Sequence, residues 1–118
     1  MLQKINRLKK KKDFQRVYQS RNRFNLPEMA IQWSPRIGQN LPARFGIVVS
    51  NKISKSAVKK NRSKRLIREA IRILTKENKT PPRLDFVINA KKPILDATYQ
   101  GLYKTLENFF SGQKTIRR

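Results

Sequence analysis

Histidine and cysteine are both absent from the 118 residues, and only seven Asp and Glu stand against 29 Lys and Arg. Without histidine the chain lacks the commonest general base and the commonest metal ligand. Without cysteine it has no disulfide framework and no thiolate metal site. The acids are Asp13, Glu28, Glu69, Glu77, Asp85, Asp96 and Glu107, each eight or more residues from the next. Nothing local therefore pairs two carboxylates for acid–base or metal-assisted cleavage of a phosphodiester. No stretch approaches the ~20 apolar residues of a membrane span. The start, "MLQKINRLKKKK", is basic but lacks the apolar run of a signal peptide. These absences lead us to expect a cytoplasmic protein with no membrane partner and no small-molecule substrate.

Positive charge is what the chain has in excess. The net charge is +22, with 37% hydrophobic residues, which allows one domain with a modest core. Charge of one sign on this scale repels itself and attracts polyanions; nucleic acid is the first such partner to consider, and an anionic membrane surface the second.

Residues 1–12 carry six cations and little hydrophobic pattern, and read as a flexible basic arm. In "DFQRVYQSR" the residues Phe14, Val17 and Tyr18 share one face of a short helix, with Asp13 placed where the helix dipole favours a carboxylate. Met29, Ile31 and Trp33 alternate within "FNLPEMAIQW", a strand pattern. "SPRIGQNLP" is a turn or loop, and "ARFGIVVSN" a buried central strand. Ser54 or Ser56 then caps a long helix running to about Asn78 and ended by "KTPP". "RLDFVINAKKP" is a further strand. From Asp96 a third helix carries Tyr99, Leu102, Tyr103, Leu106, Phe109 and Phe110 on a stripe that suits core packing. The class is α+β with one small sheet, in a domain spanning 13–112 followed by a basic tail at 113–118.

The long helix holds the densest charge: Lys59 to Arg72 contains seven cations and one acid in fourteen residues. On a wheel, Leu66, Ile67, Ala70, Ile71, Ile73 and Leu74 gather on one arc. Lys60, Lys64, Arg65, Arg68 and Arg72 are expected on the opposite one. Lys60, Lys64 and Arg68 form a row spanning about 12 Å of axis. A solvated face ordinarily mixes signs, because Glu–Lys pairs one turn apart stabilise it. A single-sign face fits a phosphate backbone better, and arginine adds bidentate phosphate contacts. Asn61 suits a ribose hydroxyl or base edge, or simply an early helical turn. Phe14 and Tyr18 belong either to the core or to a stacking platform for unpaired bases, and periodicity alone does not decide between them.

Four blocks carry a resemblance. "NRSKRLIREAIR", preceded by "SNKISKSAVKK", resembles the signature of the bacterial ribonuclease P protein family. "INRLKKKKDFQRVYQS" is similar to that family's N-terminal block, and "FGIVVSNK" and "DFVINAKKP" to its two most regular strands, in the same order. The likeness runs from about Asn6 to Phe110. Departures are Lys60 where the family motif has Arg, Ser63 where many members carry Ile, and "ISKSA" in a loop that commonly holds a glycine.

The resemblance implies the element order αβββαβα, a mixed sheet of about four strands, and a left-handed βαβ crossover through the basic helix. It implies a protein subunit that assists a catalytic RNA in removing the 5′ leader of precursor tRNA. Catalysis would lie in ribonuclease P RNA, with Mg2+ held mainly by that RNA. Residue by residue, contact with the catalytic RNA falls on Lys60, Asn61, Arg62, Lys64, Arg65 and Arg68. Contact with the leader falls on Phe14 and Tyr18, as stacking rings, and on Lys52, as a phosphate contact. The rival readings are a structural RNA-binding protein of ribosomal type, or a DNA-binding module with its basic helix in a major groove.

Overall fold

Side-chain caps account for where the second and third helices start. The computed structural model describes residues 6–36, 42–81 and 83–112. The first five residues of the expected arm, part of the loop after Trp33 and the tail 113–118 lie outside the described residues.

The elements are α1 (Lys11–Gln19), β1 (Arg23–Asn25), β2 (Met29–Pro35), β3 (Arg44–Val48), α2 (Ala57–Lys76), β4 (Leu84–Ala90) and α3 (Tyr99–Ser111). Of the two candidate caps, Ser56 begins α2: its side chain accepts the Lys59 N–H at 3.3 Å. Ser54 in turn accepts the Ser56 N–H. The helix ends two residues before Asn78. Asn78 adopts φ 58°, and the N–H groups of Asn78 and Lys79 return to the carbonyls of Thr75 and Leu74. This is a Schellman closure, with asparagine in the left-handed position. The third helix begins at Tyr99 rather than Asp96. A 3-10 turn holding Pro93 occupies Lys92–Asp96, and Thr98 caps α3.

The stretch read as one strand before the loop is a hairpin. β1 pairs antiparallel with β2, and the turn between them is closed by the Leu26 N–H on the Met29 carbonyl at 2.8 Å. The sheet order is β1-β2-β4-β3, with β2 and β4 antiparallel and β3 and β4 parallel, so β3, expected as a central strand from its apolar run, lies at the edge and β4 is central. The parallel pair is joined through α2, the crossover for which the resemblance implies a left hand.

Strand alternation splits the sheet into two faces. Met29, Ile31, Trp33, Phe45, Phe86 and Ile88 pack with Ile67, Ala70, Ile71 and Leu74 of α2 and Leu102, Leu106, Phe109 and Phe110 of α3. Register puts Trp33, Phe86 and Phe45 side by side across three strands. Phe45 and Phe86 stack at 5.3 Å, and Phe110 meets both edge-on. The aromatic stripe of α3 is core, as its spacing indicates, with Tyr99 and Tyr103 at its margin. The opposite face carries a much smaller cluster of Leu8, Val17 and Val87, flanked by Phe14 and Val48.

The basic arm is docked from Asn6 onward. Arg7 bridges Phe45 in parallel, the Leu8 N–H bonds the Phe45 carbonyl at 3.0 Å, and Asn6 Nδ2 donates to the Ala43 carbonyl at 2.9 Å. Leu8 and Asn6 are both buried. One apolar residue among cations is enough to anchor the segment, because β3 otherwise presents an open strand edge with unpaired backbone groups.

Candidate nucleic-acid interface

Helix α1 lies on the sheet face opposite the main core and touches β2 and β4. Its only fully buried apolar side chain is Val17. The two aromatic candidates differ from it and from each other. Tyr18 is 44% exposed. Phe14 is half-buried, with its ring centroid 6.4 Å from that of Tyr18 at an interplanar angle of 43°. Neither ring belongs to the main core cluster. The Tyr18 hydroxyl reaches Asn89 at 3.4 Å, and Asn89 reaches Gln32 at 3.4 Å. Partial burial raises the Tyr18 pKa, and the bond to Asn89 offsets part of that rise. Gln32, Val48 and Asn89, from adjacent strands, are all half-buried, so polar groups and one valine form the sheet surface beside the rings.

Phe14 also lines a cavity of about 280 Å³ with Arg7, Lys9, Gly46, Ile47 and Arg68. The cavity therefore joins the N-terminal segment, the edge strand and the long helix. Arg68, assigned by resemblance to the catalytic RNA, shares it with Phe14, assigned to the leader.

The charge distribution on α2 differs from the simple wheel. The buried stripe is Ser63, Ile67, Ala70, Ile71 and Leu74. Lys60, Lys64 and Arg68 are half-buried and border that stripe, whereas Asn61, Arg62 and Arg65 are exposed. The row at four-residue spacing drifts by only about 40° per step, so it runs beside Ile67 and Ile71 instead of opposing them. Long lysine and arginine stems tolerate this, burying methylenes while their heads reach water. Arg72 is neutralised by Glu69 through two hydrogen bonds, at 3.1 and 2.6 Å. That pairing lowers the Glu69 pKa and raises that of Arg72. Arg62 bonds the Leu95 carbonyl at 3.4 Å, and Lys60 bonds the Asn51 side chain in the turn after β3. Lys52 is exposed in that same turn. Asn61, Lys64, Arg65 and Arg68 have no side-chain partner among the described residues.

Two acids far apart in sequence do meet. Asp85, fully buried, is gripped by Arg44 through Nε at 2.8 Å and Nη2 at 2.7 Å. Arg16 also bonds Asp85, and Arg36 approaches it at 3.7 Å. Asp13 contacts Arg16 at 3.3 Å and Arg44 at 3.4 Å. Three guanidinium groups face two carboxylates, so the cluster keeps one positive charge. The bond to Asp85 raises the Arg44 pKa; burial, with Arg44 beside it, lowers that of Arg36. The arrangement does not suit a divalent ion, because both carboxylates are already saturated by cations. No group of three potential ligands occurs among the described residues. Asp85 carried a usable signal in the sequence, as the lone charge inside the apolar run "LDFVI". Arg36, Arg44 and Gly46 carried none.

The match to known proteins covers nearly the whole chain. A family model described as Ribonuclease P matches residues 2–113. The ribonuclease P protein component of Rippkaea orientalis is 33% identical over 118 residues, spanning 98% of this chain and 91% of that protein. That of Bacillus mycoides is 37% identical over 119 residues, spanning 99% and 100%. The solved RNase P protein of Staphylococcus aureus superposes with a TM-score of 0.74 at 27% identity, covering 92% of this chain and 95% of that one. The Thermotoga maritima RNase P protein shares the fold, with a TM-score of 0.76 at 21% identity over 90% and 96% of the two chains. The αβββαβα order, the single mixed sheet and the basic helix are thus those of a shared ancestry, and the chain belongs to the ribonuclease P protein family.

Proposed function

We propose that this chain is the protein subunit of a cytoplasmic ribonuclease P, binding the catalytic RNA and the 5′ leader of precursor tRNA while the RNA cleaves. The observation that carries this is charge without counter-charge on α2. Asn61, Lys64, Arg65 and Arg68 lack side-chain partners among the described residues, and such a face is completed by phosphates. Lys60 and Arg62 extend it, and Lys52, exposed in the turn after β3, keeps the role of leader phosphate contact. The leader would lie on the other face of the sheet, against Phe14 and Tyr18. Stacking on those rings tolerates any base, as a subunit serving many precursors requires. Bond scission is left to the RNA. Mg2+ is taken as mainly RNA-bound, and no step is assigned to a metal held by the protein, whose two converging acids are committed to arginines.

Reconstitution tests this. The chain combined with a bacterial ribonuclease P RNA should stimulate leader removal at magnesium concentrations too low for the RNA alone. Binding without stimulation would make it a structural RNA-binding protein, and cleavage by the chain free of RNA would overturn the division of labour.

A further inference from the structure

We propose that Gly46 is a positioning residue for Phe14: its missing side chain is the seat on which the ring rests. The inference rests on the reading that Phe14 stacks on the leader, and extends it to a residue that touches no RNA. A Cβ built on Gly46 would lie 2.4 Å from Phe14 Cζ and 2.5 Å from Cε1. No carbon pair tolerates that approach. The next neighbour, Leu8 Cβ at 3.5 Å, is ordinary packing, so the conflict is with the ring alone. Gly46 is a regular residue of β3 in register with Val87, and its backbone is not left-handed, unlike that of Asn78 and Arg83. Glycine there costs strand stability and gains no unusual conformation, so close approach is its remaining use.

The height of Phe14 over the sheet is set by two neighbours. Asp13, one residue earlier, ties α1 to Arg44, and Arg16, two residues later, ties it to Asp85. Arg44, Gly46 and Val48 are alternate residues of β3 and point to the same face. The helix is therefore held at fixed distance by ions anchored one step along the strand from the gap that receives the ring. A methyl group at 46 cannot be relieved by lifting the helix without stretching those ion pairs. The ring must swing instead, and its relation to Tyr18 changes.

The test is Gly46→Ala in the holoenzyme, with Phe14→Leu and the double variant alongside. Leucine lacks the two ring atoms that the methyl would strike. Gly46→Ala should weaken binding of precursor tRNA by on the order of tenfold, the scale of one base stack. Binding of mature tRNA and of the catalytic RNA should be unchanged. In the Phe14→Leu background the same substitution should have no further effect on the precursor-to-mature ratio, because the two act through one contact. Equal losses for precursor and mature tRNA, or additive losses in the double variant, would overturn the proposal. If Gly46→Ala alone does not fold, the double variant must fold; a double variant that also fails overturns it. If Phe14→Leu leaves the ratio unchanged, the leader reading itself is wrong. If Phe14→Leu lowers the ratio and Gly46→Ala does not, only the positioning role falls.

Discussion

Asp85 is the residue on which the α1 face depends most. Its carboxylate is fully buried and serves Arg16 of α1, Arg44 of β3 and Arg36 just after β2. Removing the charge while keeping the shape, as in Asp85→Asn, leaves three guanidinium groups crowded without their anion. Breaking a buried pair from one side costs about 3–5 kcal/mol, and urea denaturation should show a midpoint lowered accordingly. A loss under about 1 kcal/mol would mean that Asp13 alone satisfies the arginines. Tyr18 is the opposite case. It is well exposed and holds one long hydrogen bond, so Tyr18→Ala should change stability by under about 1 kcal/mol. Precursor affinity should nevertheless fall by about 1–3 kcal/mol if the ring stacks on a leader base. Titrations with precursor and mature tRNA separate the two effects, and equal weakening of both would remove Tyr18 from the leader site.

At the scale of the element, α2 performs two jobs with one periodicity. Ser63, Ile67, Ala70, Ile71 and Leu74 hold it to the sheet and α3. Asn61, Arg62 and Arg65 face outward, with Lys60, Lys64 and Arg68 along the border. The flexible stems of the border residues let a narrow apolar stripe coexist with a wide cationic surface. Replacing Lys64 and Arg65 together by Ala removes charge while leaving the hydrogen bonds and ion pairs of the fold in place. The plot of log affinity for the catalytic RNA against log salt should become shallower, by about 0.7–0.9 for each phosphate no longer neutralised. An unchanged slope would place the helix away from the RNA. The far end of the helix is tied independently of RNA. Lys79 meets Glu107 at 2.7 Å and lies over the Tyr103 ring, and the Tyr103 hydroxyl bonds Glu77. The Lys79–Glu107 ion pair and the Tyr103–Glu77 bond tie the turn after α2 to α3.

For the whole molecule, +22 charges sit on a body whose Cα radius of gyration is 13.4 Å. Many like charges then lie near one Debye length apart at about 0.1 M salt, and their repulsion opposes folding. Raising salt from about 10 mM to about 150 mM should therefore raise the Tm of the free chain. The same change should weaken its complex with RNA. Thermal melts with and without RNA across that range test the pair of opposite signs. A free chain whose Tm falls with salt would show that paired charges, such as the Asp85 cluster, outweigh the net repulsion.

Composition and local pattern were enough for the class of partner, the helix order and the material of the core. Net charge is additive, and the apolar periods of α2, α3, β2 and β4 are local patterns that survive without knowing the fold. The bounds of the caps were nearly legible too, since Ser56 and Thr98 act within three residues of themselves. Tertiary structure alone decided which rings stand clear of the main core. Val17 and Tyr18 adjoin on one helical face, and only the placement of α1 over β4 buries the first and exposes the second. It also decided that Asp13 and Asp85 meet, that Asn6 and Leu8 pin the basic arm to β3, and that Gly46 lies under Phe14. Each of these is a contact between residues distant in the chain, and pairing across such distances is set by the geometry of sheet and helix packing, which no local pattern encodes.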